Sequence, residues 1–355
     1  MKRRKTENYI KPATVVLLAL LLLLTGCGSS ESAQQESGSE QAEPQSIEFF
    51  AMDTYMTLSA YGDDAQSALE EGKELIMDLD QTLSAENKDS QIAKLNRKRR
   101  GPIDKDAGYL ITRSKALYKD TGGVFNIAIY PVMKAWGFTT KKYRVPSKRK
   151  LKRLISRMDL SKLSVIGGGK SAEIGQKGMQ IDLGGIAKGY ASSKVIELFK
   201  ANGIESALIN LGGNVQALGT KPDGSSWRVA IGSPYGDDEY VGVLEIADKA
   251  AVTSGGYERN FTKNGKTYHH IMDPATGYPA DKGLISVTVV SGDGTLADGL
   301  STSLYIMGRK KALDFWRQRS DRFDAVLMDE NNKLYVTKGL KDAFTSDKYD
   351  ITVVE

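Results

Sequence analysis

Ile181-Asp182-Leu183-Gly184-Gly185-Ile186-Ala187-Lys188-Gly189-Tyr190 runs from alternating apolar residues through a glycine pair into a helical pattern. We read it as a strand that closes and a helix that opens, with Lys188 in the first helical turn. Glycines let a backbone approach a ligand closely, and a helix N-terminus offers free N–H groups to an anion. A phosphate suits the spot, and so does a tight structural turn, because the spacing matches neither Walker A nor G-x-G-x-x-G.

Working outward, residues 188–202 put Ala191, Val195, Leu198 and Phe199 on one helical face with Gly203 as the stop. A strand over 204–210 follows and ends in Asn210-Leu211-Gly212-Gly213-Asn214, by itself a turn signal. Upstream, 47–61 reads as one strand closed by Gly62-Asp63-Asp64. Leu69, Gly72, Ile76, Leu79 and Leu83 have helical spacing, and a second helix over 106–120 stops at Thr121-Gly122-Gly123. Downstream, strands are expected at 227–231, 241–246, 284–290, 325–328 and 333–336, and a helix at 296–307 stopped by Gly308. Helices and strands mix without a regular βαβ alternation, so the fold class is α+β.

Composition narrows the chemistry. With 355 residues, one Cys and two His, the chain has no disulfide framework and no multi-Cys or multi-His metal cage, so a bound metal would rest on oxygen ligands, as magnesium does. Net charge is +5, but Lys2, Arg3, Arg4, Lys5 and Lys11 against Glu7 put most of it at the N-terminus, which argues against nucleic acid as a partner. Basic runs at 97–100 and 141–153, the latter with eight basic residues, read as solvated surface.

The N-terminus is read as an export signal: basic residues, then a twelve-residue apolar stretch from Ala13 to Leu24 broken only by Thr14. Leu24-Thr25-Gly26-Cys27 resembles a bacterial lipobox, with Cys27 the lipidated residue. Residues 1–26 are then a lipoprotein signal peptide and 27–46 a disordered tether without aromatic or branched aliphatic residues. The folded domain is expected over 47–355, outside the cytoplasm and anchored to the cell membrane by lipid.

Two further clusters could carry chemistry. Tyr268-His269-His270-Ile271-Met272-Asp273-Pro274 places both histidines before an Asp-Pro bend, where a His serves either as a general base oriented by Asp273 or as a surface residue. Asp298 and Thr302, four apart on a helix, present two oxygens to one side and suit a hard cation, although a helical Thr also bonds its own backbone.

In order along the chain, these pieces resemble the ApbE family of FAD:protein FMN transferases. The resemblance is carried by Met52-Asp53-Thr54, Leu83-Ser84 through Asp89-Ser90-Gln91-Ile92 to Leu95-Asn96, the Thr121–Asn126 turn, Pro131 and Trp136-Gly137-Phe138. It continues through Asp182 to Gly189, Asn210 to Asn214, Thr253-Ser254-Gly255, His270 to Gly277 and Asp298 to Thr302. It implies a T-fold-like α+β domain that binds FAD and Mg²⁺, moves FMN onto a Thr hydroxyl of an exported or membrane flavoprotein, and releases AMP. By position, Asp298, Thr302 and the carbonyl of Gly185 would hold Mg²⁺. Met52, Val124, Phe125, Asn126, Asp182, Lys188 and Ile271 would contact FAD, with His270 near the reacting phosphate as base, or Asp273 or a metal-held Asp in its place.

The chain departs from the family pattern at Asp53, where Gly is common, at Glu86, near a usual Tyr, and at Asn126, where Asp is common. It lacks a Ser/Thr-Gly-Ala-Ser/Thr acceptor segment of the kind the family modifies, so self-modification there is not expected. The alternatives are hydrolysis of FAD to FMN and AMP at the same site, a non-catalytic flavin-binding lipoprotein, and a purely structural surface protein.

Overall fold

The computed structural model describes residues 43–355. The expected signal peptide, Cys27 and most of the tether lie outside the described residues.

A nine-stranded sheet carries the fold, in spatial order Gln45–Ala51, Thr54–Ala60, Ala207–Leu211, Asn214–Leu218, Ala250–Gly255, Leu284–Ser291, Asp324–Asp329, Leu334–Thr337 and Ile351–Val354. Neighbours are antiparallel except the last pair, which is parallel. One face packs against Ala65–Leu83, Ala187–Ala201 and Gly294–Met307 around the larger core. The other is covered by the small sheet of Trp227–Ser233, Gly236–Ile246 and Phe344–Thr345 over a second core that includes Trp227 and Leu244. A three-stranded sheet (Arg100–Pro102, Ser171–Ile174, Leu163–Ile166) and the hairpin Asn260–Lys263/Lys266–His269 complete the α+β architecture.

Local chemistry explains the main elements. Ala65–Leu83 buries Leu69, Gly72, Ile76, Leu79 and Leu83, a single stripe at three- and four-residue spacing. Gly294–Met307 starts where Asp293 Oδ1 accepts the Leu296 N–H at 2.9 Å and stops at Gly308, whose φ is 76°. The expected apolar stripe on this helix is only part of its burial: every residue but Thr302 is buried, because strands, the neighbouring helix and loops enclose it.

Two expectations change. The single strand over 47–61 is a hairpin, Gln45–Ala51 against Thr54–Ala60, turned at Met52 and Asp53 with φ of 47° and 62°. Its first strand takes Gln45 and Ser46 from the expected tether, pairing them with Ala60 and Ser59, and the Ser46 and Ser59 hydroxyls meet at 2.8 Å. The segment before Gly184 is not a strand. Asn96 acts as its ladder partner: its Nδ2 donates to the Ile181 carbonyl at 2.8 Å, and its Oδ1 accepts the Ile181 N–H at 2.7 Å. The Asp182 N–H then donates to the Ile127 carbonyl at 2.8 Å. A buried extended segment is thus satisfied by one side chain and one loop carbonyl.

Candidate active site

The helices Ala187–Ala201 and Gly294–Met307 cross so closely that a Cβ on Gly189 would lie 2.1 Å from the Gly294 carbonyl oxygen and 2.6 Å from the Asp298 Cβ. Glycine is therefore required at 189 by the contact itself. The crossing carries Asp298 to the start of the neighbouring helix, where its Oδ2 accepts the Gly189 N–H at 2.8 Å. A carboxylate from one helix thus caps another that has no side-chain cap of its own.

Around this crossing opens a cavity of about 550 Å³. Its wall brings together Gly185, Asp298 and Thr302, the residues expected to hold a metal. Met52, Val124, Phe125, Asn126, Asp182, Lys188, Ile271 and His270 line the same cavity, as do Asp53 and Glu86. Ser254 reaches the Thr302 hydroxyl at 3.1 Å and the Ser301 hydroxyl at 2.9 Å. Phe125 is seated by its N–H on the Thr121 hydroxyl at 3.0 Å and lies 3.6 Å from where a Cβ on Gly185 would stand.

Asp273 is not in the cavity. Its Oδ2 accepts from Lys282 Nζ at 2.9 Å, and its Oδ1 accepts the Ala275 N–H at 2.9 Å, closing the Asp-Pro bend. One oxygen is spent on the turn and the other on Lys282, outside the cavity, where Asp273 does not face the site in which it was expected as a base. That turn is tied to the Trp136-Gly137-Phe138 segment by Trp136 Nε1, which donates to the Gly277 carbonyl at 2.7 Å.

The two histidines separate by hydrogen bonding. His269 Nδ1 accepts the Ile271 N–H at 3.2 Å, so its proton sits on Nε2 and is donated to the Ala280 carbonyl at 2.9 Å. Both ring nitrogens are committed, and His269 faces a different pocket. His270 Nδ1 lies 3.2 Å from the Arg259 carbonyl, an acceptor only, so the proton is on Nδ1 and Nε2 is the basic nitrogen. Burial, then the Arg259 guanidinium, push His270 down to about 3, and the ring is neutral at physiological pH.

The carboxylates move the other way. Burial raises Asp298 and Asp182 above the usual range, offset at Asp298 by Lys188 and at Asp182 by the Gly184 N–H and Arg259. Glu258 is raised by burial, and Glu86 by burial and then by Asp53 and Asp182. Lys188 and Arg259 are the cations set against this group, and neither forms an ion pair among the described residues. A cavity with Lys188 at a helix start and Arg259 on a neighbouring loop, its guanidinium also donating to the Phe138 carbonyl at 3.3 Å, can take a multiply charged anion.

Sequence reasoning missed Arg259 and Glu258. They sit in the loop that follows Gly255-Gly256, between a strand and a hairpin, where the glycines signal a turn but not its side chains' target, and the hydrogen-bonded pairing of His270 with Arg259 brings them in. Asn126 also gains an explanation. Its Oδ1 accepts the Ala128 N–H at 2.9 Å while its Nδ2 donates to the Met158 carbonyl at 3.0 Å. An ionised Asp there would set an oxygen against that carbonyl. Among the described residues no three His, Cys, Asp or Glu side chains gather as a metal site. A single carboxylate with a hydroxyl and a backbone carbonyl is an all-oxygen donor set of the kind Mg²⁺ accepts.

The model of the ApbE family matches residues 52–327. The chain belongs to the ApbE family. A FAD:protein FMN transferase of Treponema pallidum is 32% identical over 296 residues, 79% of this chain and 82% of that protein. One from Klebsiella pneumoniae is 34% identical over 268 residues, covering 74% and 83%. Among solved structures, the ApbE protein of Thermotoga maritima superposes with a TM-score of 0.79 at 26% identity, covering 85% of this chain and 99% of that one. The apo flavinyl transferase ApbE of Pseudomonas stutzeri gives 0.73 at 27% identity, covering 87% and 96%. The α+β fold expected from the sequence is thus the ApbE fold, and the segments around Met52, Ser84, Val124, Asp182 to Lys188, Ser254, His270 and Asp298 to Thr302 converge on one cavity in this chain, whereas Asn210 to Asn214 do not line it.

Proposed function

We propose that this chain transfers FMN from FAD to a target flavoprotein, with the cavity at the crossing of Ala187–Ala201 and Gly294–Met307 as its active site. The observation that carries the reading is the convergence of Lys188, Arg259, His270, Asp298 and Thr302 on that cavity in a chain of the ApbE family.

Transfer cleaves the FAD pyrophosphate: the acceptor oxygen bonds to the flavin-side phosphorus, AMP leaves, and the hydroxyl proton goes to a base. In this reading Lys188, Arg259 and the N–H groups at the start of Ala187–Ala201 bind the pyrophosphate and offset charge on its oxygens. Asp298, Thr302 and the Gly185 carbonyl would hold Mg²⁺, which when bound supplies further charge neutralisation. His270 takes the hydroxyl proton at Nε2, while its Nδ1–H bond to the Arg259 carbonyl fixes the tautomer. Met52, Val124, Phe125, Asn126, Asp182 and Ile271 form the flavin-nucleotide wall. The acceptor residue is a Thr, by resemblance to the family.

The same reading places the domain outside the cytoplasm, held to the membrane by lipid on Cys27. The lipobox resemblance and the apolar stretch before it support this.

The test is to incubate the chain with FAD, Mg²⁺ and an acceptor flavoprotein domain and then separate the products. Acceptor-linked FMN with one AMP released per FMN is expected. Free FMN with unmodified acceptor would make the enzyme a FAD hydrolase and overturn the reading.

A further inference from the structure

The chain contains no Asp or Glu between Asp120 and Asp159, while Lys141, Lys142, Arg144, Lys148, Arg149, Lys150, Lys152, Arg153 and Arg157 all fall within that span. Among the described residues none of these nine forms an ion pair. The helix Lys148–Ile155 opens on three basic residues, the wrong charge for a helix N-terminus, and Lys148/Lys152 and Arg149/Arg153 repeat like charge at four-residue spacing. Its one buried residue is Leu151. Local stability therefore does not account for the charge.

The patch is built onto the active site. The strip continues directly from Phe138 and Thr139, which line the cavity. The Tyr143 ring packs edge-on to Phe138 at 5.4 Å, and Phe138 lies 6.4 Å from the His270 ring, so Tyr143 stands within about 12 Å of the proposed base. Arg144 pins the strip by donating to the Ala135 carbonyl at 2.9 Å and the Lys134 carbonyl at 3.2 Å. Leu151 and Ile155 would each lie 3.3 Å from a Cβ on Gly277, so the basic helix rests on the turn that follows His270.

We propose that the strip from Lys141 to Arg157 is the docking surface for the acceptor flavoprotein and recognises an acidic segment flanking the residue that receives FMN. This rests on the FMN-transfer reading, which requires a protein partner to reach the cavity. Charge complementarity and continuity with the cavity wall select that partner. A planar anionic membrane laid on the same strip would cover the route by which the acceptor enters.

The probes are two fluorescent peptides of equal length, each with a central Thr-Gly-Ala-Thr, one flanked by Asp and Glu and the other by Gln and Ser. Their anisotropy is measured with the full FAD-loaded chain and with the variant Lys148→Glu/Arg149→Glu/Lys152→Glu/Arg153→Glu. The acidic peptide should bind the native chain about tenfold more tightly at low salt, with the preference lost in the variant and in about 0.5 M NaCl. FAD affinity should be unchanged, and the corresponding four-Gln variant should retain an intermediate preference. Equal binding of the two peptides by the native chain, or an undiminished preference in the variant, overturns the proposal. So does loss in the variant of binding to phosphatidylglycerol vesicles with peptide binding intact, which would make the strip a membrane surface. Anisotropy needs no chemistry, so peptide discrimination without FMN attachment would count against the transfer reading and leave the docking surface standing.

Discussion

His270 and Asp298 are opposed in how ionisation links to folding. His270 is depressed to about 3 in the folded chain, while an unfolded histidine titrates near 6.5. As pH falls below that value the unfolded chain binds the proton and the folded chain does not, so stability is lost from about pH 6.5 down towards 3. His270→Asn should flatten part of the acid loss in a series of melts against pH. Superimposable curves for the two proteins would show that the ring is not held neutral. The same depression moves any acid limb of kcat/KM due to His270 well below the ordinary imidazole range.

Asp298 is raised by burial, so it contributes stability at low pH that is lost as pH rises through its folded pKa. At neutral pH an ionised Asp298 is a local cost, only partly offset by Lys188 and the Gly189 N–H. Asp298→Asn keeps an acceptor for that N–H and should raise the melting temperature of the metal-free chain by about 2 to 4 °C. Mg²⁺ should stabilise the native protein and not the variant. A variant that melts lower than the native chain in chelator would contradict the assignment. Asp53 is a milder case: with φ at 62°, Asp53→Gly should gain about 1 kcal/mol in denaturant titration by relieving a left-handed conformation, and a loss would show that its side chain has a bonding role.

At the scale of elements, the site depends on one helix crossing. Gly189→Ala would drive a methyl into the Gly294 carbonyl, and the mismatch should cost about 1 to 3 kcal/mol in denaturant titration and separate Asp298 from the Gly189 N–H. FAD-dependent turnover should fall with it, while Gly101→Ala, with open space around its Cβ position and no positive φ, should leave turnover intact. Equal turnover in the two variants would mean that the crossing does not set the site.

The helices were legible from sequence because burial follows their spacing and glycines stop them, as at Leu69 to Leu83 and at Gly308. The first hairpin was not, because its turn uses Met52 and Asp53 at positive φ instead of the Asn-Gly or Asp-Gly that normally announces it. The stretch before Gly184 carries a strand's apolar alternation but is paired by Asn96, which lies 85 residues away from Ile181 in sequence. Periodicity cannot report such a partner. In the site, Lys188, Asp298 and Thr302 were readable from helix position, whereas Asp273 and Arg259 exchanged importance. Both are charged residues beside turns, and only the fold decides which one is spent on its own bend.

At the scale of the whole molecule, the proposed lipid anchor is open to a direct test. If the lipid proposed on Cys27 is the attachment, Cys27→Ala should release the chain from the membrane fraction or leave it unprocessed. Unchanged fractionation and unchanged mature mass would remove the lipoprotein assignment. The folded part, residues 47–355, carries a net charge of +5, and it gathers a basic strip beside the cavity and buried carboxylates within it. That separation fits an enzyme with two different partners, a dinucleotide held inside and a protein met at the rim. The most direct test is the intact mass of an acceptor flavoprotein domain incubated with FAD, Mg²⁺ and either the native chain or Asp298→Asn, with FAD binding measured in parallel. The account predicts addition of one FMN by the native chain, and none by a variant that still binds FAD. Equal modification by the two proteins, or an unmodified acceptor in the presence of free FMN, would contradict it.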